Sequence, residues 1–368
     1  MKRLLKAYAL LTAALFLGCA LNVETTGQTA ATPGQSSAAA APQPKKTANL
    51  NLAVFIFEGV QIIDYTAPFE VFGQAHVGRE HLFNIYTVAE KEGPLTTAMG
   101  MTVVPKYTFA NMPKAEVLLL PGGGVGPHLD NPKVIRWVQE TAAGADHVIS
   151  VCNGAFYLGK AGLLDGLTAT TFYGLIDELK TLAPKAKVVS DRRFVDNGKI
   201  VTTAGLSSGI DGALHLVEKL AGRGRAQEIA LNLEYNWQPD VPYARASFAD
   251  RHLRKLIGRR GFELPDGTDW KVLGQQGGTD RWEKNWEVKT SLAAAELLKL
   301  VDTRLAEGWS KLPHTDASAA ATDTRWKFAD EEGKNWNARS LVQPAGAGTY
   351  KLTIRLARSD VAAQAQVN

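Results

Sequence analysis

Cysteine is almost missing from this sequence. Its 368 residues include two, Cys19 and Cys152, which excludes the multi-disulfide framework of small secreted scaffolds. Histidine is sparse as well, with seven copies. None of them shows a metal-ligand spacing such as a helical H-E-x-x-H, so no metal is expected. The cluster Gly122-Gly123-Gly124 belongs to no G-x-x-x-x-G-K-[ST] pattern, and bare glycines are weak evidence for a phosphate loop. A strong charge bias is absent too. The formal net charge is +4, and Lys2, Arg3 and Lys6 supply three of those charges. The nearly neutral remainder gives no electrostatic reason to expect nucleic acid as a partner. The N-terminal apolar run, Ala7 to Leu17, is too short to span a bilayer comfortably. No internal repeat is visible.

What is present describes a globular protein. Hydrophobic residues make up 45% and charged residues 21%, enough for a sizeable core, and the length suggests about two domains. The N-terminus MKRLLKAYALLTAALFLGCA has the basic start and apolar core of a signal peptide over residues 1–18. Phe16-Leu17-Gly18-Cys19 resembles a bacterial lipobox, whose cysteine is lipidated and becomes the first residue; an ordinary secretory signal is the alternative. Ala20 after that cysteine resembles lipoproteins sent to the outer membrane. The expectation is a cell-envelope protein, lipid-anchored and facing the periplasm, with a secreted or periplasmic form as the alternative. Residues 19–48 are rich in Ala, Thr, Gln, Ser, Gly and Pro and read as a flexible tether.

Order is expected from Leu50. LNLAVFIF, LFNIYTVA, AEVLLL and HVISVC read as buried strands. They alternate with helical patterns such as PKVIRWVQETAAGA and SSGIDGALHLVEKLAG, and PFEVFGQAH reads as a helix with Pro68 in its first position. KVVSDRRFVDNGKIVTT reads as a hairpin turned at Asp196-Asn197-Gly198. Continuous apolar strands alternating with helices predict a mainly parallel sheet covered on both faces over residues 49–262. Ligand chemistry then belongs at the carboxyl ends of the strands. From 263 to 368 the chain reads as a small α+β domain, roughly β-α-β-β, holding six of the eight tryptophans. Its role is open, and a protein partner is one expectation. The basic stretch RASFADRHLRKLIGRRGFE (245–263) reads as a solvated helix face.

Cys152 stands where a strand turns into a helix, in VISVCNGAFYLG. A side chain at such a corner can be held near the free N–H groups of the helix start, which lowers a thiol's pKa and can also hold an oxyanion. Gly154 suits a corner that tolerates little bulk. The alternative is an inert buried cysteine.

Four blocks add a family resemblance: FEGVQIIDYTAPFEVFG (57–73), LLLPGGGVG (118–126), SVCNGAFYLGKAGLLDGLTATTF (150–172) and TTAGLSSGIDGALHLVEKLAG (202–222). In this order they resemble the DJ-1/PfpI family of class I glutamine amidotransferase-like proteins. Within it they are most similar to the branch of isonitrile hydratases and of AraC-type regulator sensor halves. The resemblance covers about residues 50–237. It implies a flavodoxin-like three-layer α/β sandwich, commonly dimeric, with Cys152 as the elbow nucleophile and Asp64 as the facing acid. It also implies an oxyanion site from the backbone of Gly123 and Asn153, with Gly122, Gly154 and Tyr173 around the pocket. Asn153 replaces the branch's usual Thr, and Phe172-Tyr173 replaces its usual His-Trp, which argues against a peptidase. Tyr173 either replaces a donor or packs.

The implied activity is cofactor-free, cysteine-dependent chemistry on a small electrophile, most like hydration of an isonitrile to an N-substituted formamide. The alternative is a non-catalytic ligand-binding or redox-sensing module. A homodimer and a small-molecule ligand are the expected partners.

Overall fold

The computed structural model describes residues 49–241, 243–258, 261–313 and 322–360. The expected signal peptide (1–18), the expected lipidation site Cys19 and the expected tether (19–48) lie outside the described residues.

The first sheet is built from β1 (Leu50–Phe55), β2 (Phe83–Ala89), β3 (Tyr107–Thr108), β4 (Val117–Leu120), β5 (His147–Ser150), β6 (Phe194–Asp196) and β7 (Ile200–Thr203), in the order β6-β7-β5-β4-β1-β2-β3. Every neighbouring pair is parallel except β6 with β7, the hairpin turned at Asp196–Gly198. All four residues of β4 are buried, as are Leu52 to Phe55 of β1. Helices cover both faces, which is the flavodoxin-like α/β sandwich. Those used below are α1 (Ile62–Gly73), α2 (Pro132–Gly144), α3 (Ala155–Lys160), α4 (Ile176–Leu182), α5 (Ser208–Ala221), α6 (Arg223–Asn232) and α7 (Asp250–Ile257).

One helix start differs from the sequence reading. The helix α1 begins at Ile62, so Pro68 lies inside it rather than at its first position. The missing Pro68 N–H falls opposite the Asp64 carbonyl, one turn earlier. This start places Asp64 in the first helical turn, on a rigid element rather than on a loop.

The C-terminal region forms a six-stranded antiparallel sheet. Its strands are β8 (Asp269–Gly277), β9 (Arg281–Lys289), β10 (Ser310–Lys311), β11 (Asp323–Ala329), β12 (Asn335–Gly346) and β13 (Thr349–Arg358), ordered β8-β9-β13-β12-β11-β10. The helix α8 (Ala294–Leu305) places Leu297, Leu298, Val301 and Leu305 in the core of this region. The expected β-α-β-β pattern, with three strands, lacked β8 and β10 and ran β11 and β12 together, which a turn at residues 330–333 divides. Every residue of β8 is exposed, so it shows no buried alternation to read, and β10 has two residues. Trp282, Trp286, Trp309, Trp326 and Trp336 are buried here, whereas Trp270 is 40% exposed.

This second core also takes in Ala249, Leu253, Ile257 and Phe262, ahead of the boundary expected at residue 263. The basic stretch is therefore more than a solvated face. Leu253 and Ile257 point into the core, while Arg245 and Arg254 lie against the ring of Tyr173.

Candidate functional site

The apolar strand β5 ends at Ser150, and Val151 continues it in an extended conformation. Cys152 then turns to φ +59°, the left-handed region that non-glycine residues rarely enter. Such a conformation costs about 1–3 kcal/mol and persists only where the surroundings impose it. Here the Cys152 N–H donates to the Ala204 carbonyl at 2.7 Å, and Thr171 Oγ1 donates to the Cys152 carbonyl at 2.8 Å. A short turn, Cys152–Gly154, then leads into α3. At Gly154 a Cβ would collide with the Leu120 carbonyl at the end of β4, so only glycine lets the corner sit this close to the sheet.

The sulfur faces an acid. Asp64 is fully buried, and it accepts the Leu206 N–H on Oδ1 at 3.1 Å and the Gly122 N–H on Oδ2 at 3.2 Å. Cys152 stands beside this carboxylate: a Cβ on Gly122 would come within 2.8 Å of both Asp64 Oδ2 and Cys152 Cβ. Burial pushes the Asp64 carboxyl up to about 6, against the opposing pull of Leu206, Gly122 and Cys152. Burial also pushes the Cys152 thiol up, and the neighbouring Asp64 charge adds to this, while the Asn153 backbone N–H pulls the other way. The sequence expectation of a thiol acidified by the helix start is therefore corrected: a single N–H is outweighed by desolvation and by a carboxylate. The pair titrates as a unit and holds one proton through neutral pH.

The remaining expected residues gather around this pair with roles of their own. The Gly123 N–H donates to Asn153 Oδ1 at 2.8 Å, and Asn153 Nδ2 donates back to the Gly123 carbonyl at 2.9 Å. The Asn153 amide thus occupies the Gly123 N–H that an oxyanion would need, and the Gly122 N–H is engaged by Asp64. Tyr173 packs between two guanidinium groups, 4.7 Å from that of Arg245 and 4.8 Å from that of Arg254. The Phe172 ring and the sulfur both approach Gly205. A Cβ on Gly205 would come within 2.5 Å of Phe172 Cδ2 and 3.4 Å of Cys152 Sγ, so glycine here lets the ring and the sulfur share one backbone face. Gly205 and Leu206 were not singled out from the sequence. They lie in the block TTAGLSSGIDG, and the usable signal was a small residue followed by a turn directly after a buried strand. Among the described residues no cluster of His, Cys, Asp and Glu could hold a metal ion.

The sequence and fold have counterparts in known proteins. The sequence pattern of the DJ-1/PfpI family matches residues 51–219. An isonitrile hydratase of Pseudomonas putida is 37% identical over 199 residues, which are 54% of this chain and 83% of that protein. This chain belongs to the DJ-1/PfpI family. A solved THiJ/PfpI family protein from Pseudomonas syringae is 27% identical with a TM-score of 0.50, covering 60% of this chain and 92% of that one. The HTH-type transcriptional regulator CdhR of Pseudomonas aeruginosa is 22% identical over 175 residues, covering 48% of this chain and 52% of that protein. The family match ends before the C-terminal sheet begins.

Proposed function

We propose that this DJ-1/PfpI family member hydrates a small isonitrile to the corresponding N-substituted formamide. The observation that carries the reading is the buried Cys152–Asp64 pair set side by side at a positive-φ corner. An isonitrile carbon must gain both a nucleophile and a proton, and this pair supplies both from adjacent atoms. Cys152 Sγ bonds to the terminal carbon as its proton passes by way of Asp64 to that same carbon, giving a thioimidate. Water then adds at this carbon, with Asp64 accepting its proton. Asp64 passes that proton to the nitrogen; the C–S bond then breaks with its electron pair on sulfur, and the hydroxyl proton of the added water moves to that sulfur as the carbonyl forms and the formamide leaves. The sum is isonitrile plus water to formamide, with no redox change and no cofactor. The first step develops no charge on oxygen, which agrees with a site whose Gly123 N–H is engaged by Asn153. Acyl transfer, whose transition state needs that donor, is disfavoured by the same contact.

The test is formation of N-butylformamide from n-butyl isocyanide by the full chain. Wild-type protein should produce it and Cys152→Ala should not; a product rate unchanged in the variant would remove the proposal.

A second reading has support in the closed Gly123 donor and in the similarity to a regulator: a non-catalytic pocket that reports a ligand or oxidation at Cys152. Stoichiometric conversion of Cys152 to sulfinic acid by peroxide, with no isonitrile turnover, would favour it. We also propose that Cys19 is lipidated and holds the protein in the envelope, and that it works as a homodimer. Loss of metabolic palmitate labelling in Cys19→Ser, and a dimer mass by light scattering, are the corresponding checks.

A further inference from the structure

A cavity of about 210 Å³ adjoins the cysteine corner. Its inner wall is Thr170–Tyr173 and Ala204–Ser208, the two segments that hold Cys152 and Asp64 through Thr171, Ala204 and Leu206. Its outer wall is Tyr243–Ala246, on the way to the C-terminal sheet. That wall is fixed from the second core. Arg245 donates to both Asp250 carboxylate oxygens at 2.7 and 2.6 Å, and its guanidinium lies 4.9 Å from the ring of Trp282 on β9.

The lining carries three guanidinium groups, of Arg192, Arg193 and Arg245, and no carboxylate. Two of the three are engaged. Arg193 pairs with Asp211 through Nε at 2.6 Å, and Arg245 with Asp250. Arg192 approaches only Asp191, at 3.8 Å with both side chains about two-thirds exposed (66% and 64%), and it donates no hydrogen bond among the described residues. The hydroxyls of Ser190 and Ser207 line the cavity with it, and Ser207 precedes the first turn of the 14-residue helix α5. Phe172, Tyr173, Leu206 and the alanines of the strap supply apolar surface. The volume lies below the roughly 300 Å³ at which drug-sized pockets begin, so the fitting ligand is of the size of a single ring.

We propose that this cavity binds a small molecule with an apolar body and one carboxylate, the carboxylate meeting Arg192, and that the C-terminal region completes the site through residues 243–246. This names the substrate class of the proposed cysteine site and rests on that reading; Cys152 and Asp64 do not line the cavity, and Gly205, whose backbone adjoins the sulfur, does. Its binding chemistry does not depend on turnover.

The test is calorimetric titration of the full-length protein with benzoate and with isosteric, uncharged benzamide, neither of which reacts with a thiol. Benzoate should bind roughly tenfold more tightly, the size of one charge-assisted contact. Arg192→Gln should remove that preference by weakening benzoate more than benzamide, and Ala246→Phe should weaken both probes by filling the cavity. Circular dichroism checks that each variant is folded. Equal affinities, no binding of either probe, or a preference that survives Arg192→Gln overturns the inference. Benzoate preference without hydration of either n-butyl isocyanide or the carboxylate-bearing 4-isocyanobutanoate removes the proposed reaction and leaves the cavity standing; hydration without the preference does the reverse.

Discussion

Asp64, in the first turn of α1, lies beside Cys152, held at φ +59° just ahead of α3, and a Cβ on the intervening Gly122 would touch both. Two helices that start at the carboxyl ends of neighbouring parts of one sheet thus bring an acid and a sulfur together. The Leu206 and Gly122 N–H groups fix the acid, and the Ala204 carbonyl and Thr171 hydroxyl fix the corner. The arrangement is costly twice over, in a strained backbone and in a buried charge, and both costs fall on the groups with chemical use.

The buried charge predicts how stability varies with pH. With the Asp64 carboxyl raised from 3.8 to about 6, the folded protein keeps a proton that the unfolded chain releases between those values. Stability from this group is therefore complete below about 3.8 and is lost as pH rises through about 6. The loss is about 3 kcal/mol. Urea unfolding between pH 4 and 7 should show this descent in the wild type, and Asp64→Asn should lack it.

The same proton governs the proposed reaction. Below about 6 Asp64 is protonated and cannot accept the thiol proton. The ratio kcat/KM for n-butyl isocyanide should rise through pH about 6 and then stay level across neutral pH, because the thiol is pushed up, not down. A rate that falls as pH rises through this range contradicts the assignment of Asp64 as the acceptor.

Gly205 joins the corner to the cavity. Gly205→Ala puts a methyl 2.5 Å from Phe172 Cδ2 and 3.4 Å from Cys152 Sγ, so the ring must move. Overpacking of this kind costs about 1–3 kcal/mol. Chemical denaturation should report that loss, and alkylation of Cys152 by iodoacetamide should change rate in the folded variant. An unchanged unfolding midpoint together with an unchanged alkylation rate contradicts the geometry.

Much of this was legible because the first sheet is parallel and buried. Strands such as VLLL and HVIS announce themselves by continuous apolar content, and Cys152 by its place after one of them. The acid was legible as a residue but not as a position. Pro68 suggested a helix start, and six residues before it went helical because tertiary packing overrode the local signal. The hold of Asn153 on Gly123 links residues 30 apart in sequence, and no local pattern encodes it. The strand β8 was hidden for the opposite reason: it is exposed along its whole length and buries no face.

Asn153 offers a direct test of that long-range hold. Replacing it with Ala removes the acceptor of the Gly123 N–H and one of two donors to the Gly123 carbonyl, which keeps the Val125 N–H at 2.9 Å. Leaving that N–H unsatisfied costs about 1–3 kcal/mol. Asn153→Ala should therefore lower the urea midpoint. It should also raise hydrolysis of p-nitrophenyl acetate above wild type, since the freed N–H becomes available to an oxyanion. A destabilised variant with no gain in ester hydrolysis would show that the Gly123 N–H does not face the sulfur.

The contact between the two cores rests on Asp250. Its carboxylate receives two bonds from Arg245 and lies 3.2 Å from Arg254 Nε, and both guanidinium groups flank the Tyr173 ring. Asp250 is 3% exposed, so Asp250→Ala leaves two cations beside one aromatic ring with no counter-charge. Breaking a buried pair from one side costs about 3–5 kcal/mol. The double variant Asp250→Ala with Arg245→Met removes part of that excess charge and should recover some of the loss. Denaturation of the single and double variants measures the coupling. A double variant no more stable than Asp250→Ala alone would mean that Arg245 is not held by this carboxylate, and the outer wall of the cavity would lose its anchor.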